Sequence, residues 1–227
     1  MHQPKNLSKL LVGITGKKEN HWKNKLKEIN KLDIAEVALF LEWFKKPQRQ
    51  KIYQALLKSK IKKIPLVHLR NDMDKSELAF LTKNFASHYF TIHEDSFNVL
   101  DKWRGFYKNL FLEMNTDNLL SANVDVTKIG GFCIDLAHFK VEETKRTKEF
   151  KYIRKRKNSH YFFCNHLNGY SPSKNVDLHT IKSLNNFNYL KTLPKFLFGK
   201  VIALETKNSI AEQLKFKEYL SKLLNKI

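Results

Sequence analysis

Nine side chains able to bind a divalent cation recur at equivalent points along the chain: His68, His93, Glu113, Asp135, His138, His166, Asp177, His179 and Glu205. Six of them sit at or next to the end of a strand-like apolar run, as in IPLVHL, HYFTIH, NLFLEM, GFCIDL, HYFFCNH and KVIALE. His138 follows Asp135 by one helical turn, and Asp177 and His179 lie in the loop after the seventh run. Imidazoles and carboxylates brought together can hold Zn²⁺, Mn²⁺ or Mg²⁺, and such ions activate water or polarise a carbonyl. Taken singly, a histidine at a strand end is usually a hydrogen-bonded structural residue, and an acid there is often a helix cap. A carboxylate embedded in an apolar run is different, because burial is costly unless the charge is paired or metal-bound. Glu113 in LFLEMN, Asp135 in FCIDLAH and Glu205 in VIALETK are of that kind, and the repetition from strand to strand is what makes the set informative.

The elements that must position these residues alternate along the whole chain. Strand-like runs fall at 10–15, 36–41, 64–69, 88–93, 109–114, 131–136, 160–166 and 200–205. Helix-like segments lie between them. Residues 21–32 place Trp22, Leu26, Ile29 and Leu32 on one face. Residues 47–60 open with Pro47, and Asp74 to Glu77 reads as a capping box. Further helices are predicted at 97–107, 141–157, 180–191 and 209–226. Strands joined by helical crossovers pair in parallel, and the closed solution for eight of them is a compact (β/α)8 TIM barrel spanning residues 1–227 as one domain, with a doubly wound open sheet as the alternative. Barrel chemistry sits at the C-terminal strand ends, where the candidates are. Residues two positions before a ligand share its face. The inward layer beneath the site is therefore Leu66, Thr91, Phe111, Cys133, Cys164 and Ala203, small or apolar as a packed barrel requires.

The 227 residues carry 42 Lys and Arg against 22 Asp and Glu, a net charge of +20. That balance suits a polyanionic partner, DNA first, although the excess is almost all lysine and so is also a compositional bias. Two cysteines argue against a disulfide scaffold and fit a reducing, cytoplasmic setting. No apolar run is long enough for a membrane span. There is no G-x-G-x-x-G, Walker A, H-E-x-x-H or C-x-x-C motif. The basic stretch within 140–158 is read as a solvated outer helix.

The segments LEMN (112–115), CIDLAH (133–138), NHLNGY (165–170), DLH (177–179) and ALET (203–206) resemble, in that order, the xylose isomerase-like barrel superfamily and within it endonuclease IV, the metal-dependent abasic-site nuclease. The resemblance implies a shared single-metal set of Glu113, Asp135, His166 and Glu205. In its nuclease branch it implies three ions: one on His68, His93 and Glu113, a second on the shared set, and a third on His138, Asp177 and His179. This chain departs from the nuclease in its shorter strand-to-helix loops, in DLAH and in the absence of glycines after DLH.

Two activities follow as expectations. One is metal-dependent hydrolysis of phosphodiesters at abasic or damaged DNA, with Zn²⁺ the first choice of ion and Glu113 and Glu205 as catalytic carboxylates. The other is a single-metal sugar or sugar phosphate isomerase or epimerase using Mn²⁺ or Mg²⁺. A barrel that has lost catalysis and only binds is the third possibility.

Overall fold

The computed structural model describes residues 8–158 and 160–226. The main sheet contains β1 (Lys9–Leu11), β2 (Gly13–Ile14), β3 (Ala38–Phe40), β4 (Leu66–His68), β5 (Tyr89–Ile92), β6 (Leu110–Leu112), β7 (Gly131–Asp135) and β8 (Phe162–Leu167). After a separate antiparallel hairpin of β9 (Gly169–Ser171) and β10 (Val176–Leu178), β11 (Val201–Leu204) completes it. All neighbours in the main sheet are parallel, in the order β1-β11-β8-β7-β6-β5-β4-β3-β2. β1 and β2 are two pieces of one N-terminal strand: β1 pairs with β11 and β2 with β3, so the sheet closes on itself as a TIM barrel.

The break between the two pieces has a physical cause. A Cβ on Gly13 would lie 2.0 Å from the Leu204 carbonyl oxygen, so only glycine lets the first strand cross the end of the last. The Gly13 peptide is satisfied instead by a buried side chain from the last helix: its N–H donates to Gln213 Oε1 and its carbonyl accepts from Gln213 Nε2.

Strand alternation divides the interior into two cores. Leu11, Ala38, Phe40, Leu66, Phe111, Cys133, Cys164, Val201 and Ala203 fill the inside of the barrel. Their neighbours Leu39, Val67, Leu110, Phe132, Ile134 and Ile202 face outward into the larger core against the helices. Five of the six residues expected in the inward layer are in the inner cluster, and the sixth, Thr91, is fully buried.

The outer layer holds α1 (Glu19–Lys31), α2 (Lys46–Leu57), α3 (Lys75–Phe85), α4 (Leu136–Lys145), α5 (Lys148–Arg154) and α6 (Ile210–Leu224). Helices α2 and α3 are cross-linked by Arg49, which is fully buried and forks onto Glu77 at 2.8 and 2.9 Å while also reaching Asp72. The Tyr53 hydroxyl also donates to Glu77. Three expected helices differ. The 97–107 segment forms 3₁₀ turns at Glu94–Trp103 and Tyr107–Asn109, with Val99 non-helical. The 180–191 segment likewise forms 3₁₀ turns at Leu184–Thr192, opened by a capping box of Ser183 and Asn186. The 141–157 helix begins earlier, at Leu136, and is split where Arg146 turns left-handed and Thr147 caps a new helix.

Candidate metal centre

The C-terminal ends of the parallel strands place the sequence candidates together. Ligand atoms of Glu113, Asp135, His166 and Glu205 all lie within 4.8 Å of one another, as do those of His68, Glu113 and His166, and those of His138, Asp177 and His179. Two of the three expected groupings are thus assembled as single clusters. The remaining one is altered. His93 lies beside His68, ring centroids 4.8 Å apart, and lines the same cavity, but it belongs to none of the compact groups among the described residues. A residue not foreseen from sequence enters instead: Glu42 groups with His68 and Glu205. The signal for it was present. Phe40 faces the barrel interior, so Glu42, two residues on, faces the same way.

Local structure explains how each side chain arrives. Asp135 ends β7 and caps α4, its Oδ1 accepting from the N–H groups of Ala137 and His138. This turn delivers His138, on the first turn of α4, to 3.7 Å from Glu113 and 3.9 Å from Asp177. The unexpected β9–β10 hairpin doubles the chain back so that Asp177 and His179 reach His138. Asn168, buried at the start of this excursion, donates to Asp135 Oδ2 at 3.0 Å.

Hydrogen bonds set which imidazole nitrogens are free. Thr91 Oγ1 lies 3.3 Å from His166 Nε2, leaving Nδ1 directed at Glu113 and Glu205. His179 Nδ1 faces the Glu205 carbonyl at 3.1 Å, leaving Nε2 toward Asp177 Oδ2. Such outer partners fix the orientation of histidine ligands.

The electrostatics describe a site holding more buried carboxylate than its imidazoles neutralise. Burial works to raise Glu113, but His166 and His68 outweigh it and hold the carboxyl well below its usual range. Burial, then repulsion from Glu113 and Glu42, pushes Glu205 well above that range. Burial likewise raises Asp135, and takes Glu42 up to about 7. His68 is driven well below its ordinary value by burial. His166 rises well above its own because Cys133 and Glu113 overcome burial. Against burial, Asp177 and Glu205 lift His179 to about 9.

These residues fit a divalent metal. His166 Nδ1 and Glu113 Oε2 are 2.9 Å apart yet not aligned as donor and acceptor. Both nitrogens of His68, His138 Nδ1, His93 Nδ1 and Glu42 Oε2 are also buried without hydrogen-bond partners among the described residues. Buried lone pairs converging without donors are what a cation satisfies. The donor set of imidazole and carboxylate suits Zn²⁺ or Mn²⁺. The cavity above the site is rimmed by Lys17, Trp43 and Lys207, with Lys17 Nζ 3.5 Å from the Trp43 ring centroid.

No family model matches the chain, and no curated protein matches it. Among solved structures it is similar to SacUVDE, at 17% identity and a TM-score of 0.51, covering 97% of this chain and 100% of that one. The similarity extends over the whole barrel and shows a shared fold.

Proposed function

We propose that the protein is a metal-dependent endonuclease acting on abasic or otherwise damaged DNA. The observation that carries this reading is the joining of two ligand clusters, Glu113–Asp135–His166–Glu205 and His138–Asp177–His179, in one rim-facing site. A single-metal isomerase has no use for the second cluster. The matched fold of SacUVDE, a UV damage endonuclease, supports DNA repair chemistry, as does the +20 charge.

Divalent metal held by these residues supplies Lewis-acid activation of water and screening of phosphate charge. The chain's own groups do the rest. Glu113 belongs to two of the compact groups, which suits it to bridge between positions and orient the attacking water. Glu205 completes the set of carboxylates that would hold the metal. His68 and Glu42 extend the site beyond the shared set, and Lys17 and Lys207 at the mouth are placed to meet backbone phosphates.

The test is incision of duplex oligonucleotides carrying one abasic site or one UV photoproduct. The metal-loaded protein is expected to cut the damaged strand, to lose the activity with chelator and recover it with Zn²⁺ or Mn²⁺, and to weaken as salt rises because counterion release drives binding. Failure to cut either substrate, together with turnover of an aldose or ketose phosphate, would replace this reading with the isomerase.

A further inference from the structure

One aromatic side chain stands at the mouth of the metal cavity and takes no part in the proposed chemistry. Trp43 is 50% exposed, and among the described residues it is the only exposed Phe, Tyr or Trp; Trp22 and Trp103 are buried. A lone exposed apolar residue needs no explanation by itself. The setting of Trp43 does, because it lines the same cavity as His68, Glu113 and Glu205 and is carried there by a braced turn. That turn, Leu41–Phe44, is closed by the Phe44 N–H donating to the Leu41 carbonyl at 3.0 Å, and both of its end residues are buried. Arg70 Nη1 donates to the Glu42 carbonyl at 3.2 Å, and Nη1 of the fully buried Arg49 donates to the Phe44 carbonyl at 2.7 Å. The turn thus sends Glu42 to the metal ligands and presents Trp43 to solvent beside them.

The surroundings set what this ring is suited to meet. Lys17 Nζ lies 3.5 Å from the Trp43 ring centroid, a cation–π contact that steadies the indole and places a positive charge beside it. Lys207 lies on the same rim. A π-face flanked by cations, next to a centre suited to phosphodiester cleavage, offers what a nucleotide needs: a surface for its base and charge for its phosphate. A ring whose backbone is already fixed also loses little freedom when a base stacks on it. In an intact duplex every base is stacked and paired, and drawing one out costs free energy. That cost is least at an abasic or distorted site.

We propose, resting on the endonuclease reading, that Trp43 is a stacking platform for a base left unstacked at the lesion, and that it is the residue by which the site favours damaged over intact DNA. An intact duplex presents no free base face to the indole, so only the lesion gains this contact. Both duplexes share the attraction of the lysines for phosphate.

Because Trp22 and Trp103 are buried, tryptophan fluorescence that responds to an external quencher reports Trp43. The metal-loaded full chain is mixed by stopped flow with a duplex carrying a tetrahydrofuran abasic analogue, or with the matched intact duplex, and the signal is read before any strand is cut. The lesion duplex is expected to quench Trp43 and shield it from acrylamide, and the intact duplex to do neither. By fluorescence anisotropy, Trp43→Ala should weaken binding of the lesion duplex about tenfold or more and of the intact duplex less than about twofold, whereas Trp43→Phe should keep most of the preference. Metal content should be the same in both variants as in the unaltered chain. A lesion duplex that binds while Trp43 stays open to acrylamide overturns the platform and leaves the endonuclease reading standing. Equal weakening on both duplexes does the same, assigning Trp43 to general backbone contact. Failure to bind either duplex overturns both readings together.

Discussion

Glu113→Gln separates the two ligand clusters. The substitution keeps shape and removes one charge from a side chain that lies 2.9 Å from His166 Nδ1 and 3.7 Å from His68 Nε2. A carboxylate at about 4 Å from a cation contributes roughly 4 kcal/mol per unit charge at an effective dielectric near 20, or about three powers of ten in affinity. The His68–Glu113–His166 and Glu113–Asp135–His166–Glu205 groups both lose this term, whereas His138–Asp177–His179 does not contain Glu113. Equilibrium dialysis at low micromolar Zn²⁺, followed by elemental analysis, is therefore expected to show metal lost from the Glu113-containing positions and about one ion per chain retained. His166 gives an independent readout. Without the Glu113 carboxylate its raised pKa falls, and the imidazole protonation seen by NMR in the metal-free protein moves to lower pH. A folded variant with the full metal complement refutes the bridging role of Glu113. One that has lost every ion refutes the independence of the second cluster.

Metal loading at His138–Asp177–His179 should depend on pH. His179 is raised to about 9, so at neutral pH its Nε2 carries a proton that a metal must displace. Apparent affinity there should rise about tenfold per pH unit until pH approaches the His179 value, and isothermal titration in buffers of different ionisation enthalpy should detect the released proton. Away from the site, Arg49→Met should cost about 3–5 kcal/mol in denaturant unfolding, because it strands the buried Glu77. Burial opposes ionisation of Glu77, but its bonds to Arg49 and Tyr53 prevail and lower its folded pKa. The stabilisation it confers is therefore present above the ordinary carboxylate pKa and lost as pH falls through the folded one, and Arg49→Met should flatten that acid limb.

The barrel was legible because strand alternation carries two facts at once. Leu66, Phe111, Cys133, Cys164 and Ala203 face the inner core, and His68, Glu113, Asp135, His166 and Glu205, two residues later, face the site. Glu42 escapes the sequence pattern because the second apolar run ends at Leu41, although Phe40 followed by Glu42 obeys the same rule. The β9–β10 hairpin was not foreseen, since short polar strands such as Val176–Leu178 carry little hydrophobic pattern. It matters because it turns Asp177 and His179 from loop residues into partners of His138. The 97–107 and 180–191 segments are expected as helices from their place between strand-like runs but form 3₁₀ turns, a distinction that position in the alternation does not resolve.

A metal centre built from two adjoining ligand clusters is the central proposal. Anomalous diffraction from crystals grown with Zn²⁺ or Mn²⁺, recorded on both sides of the absorption edge, tests this most directly. The predicted map has one peak bound by Glu113, Asp135, His166 and Glu205, and a separate peak bound by His138, Asp177 and His179. A map with no peak at either cluster in metal-saturated crystals would contradict it.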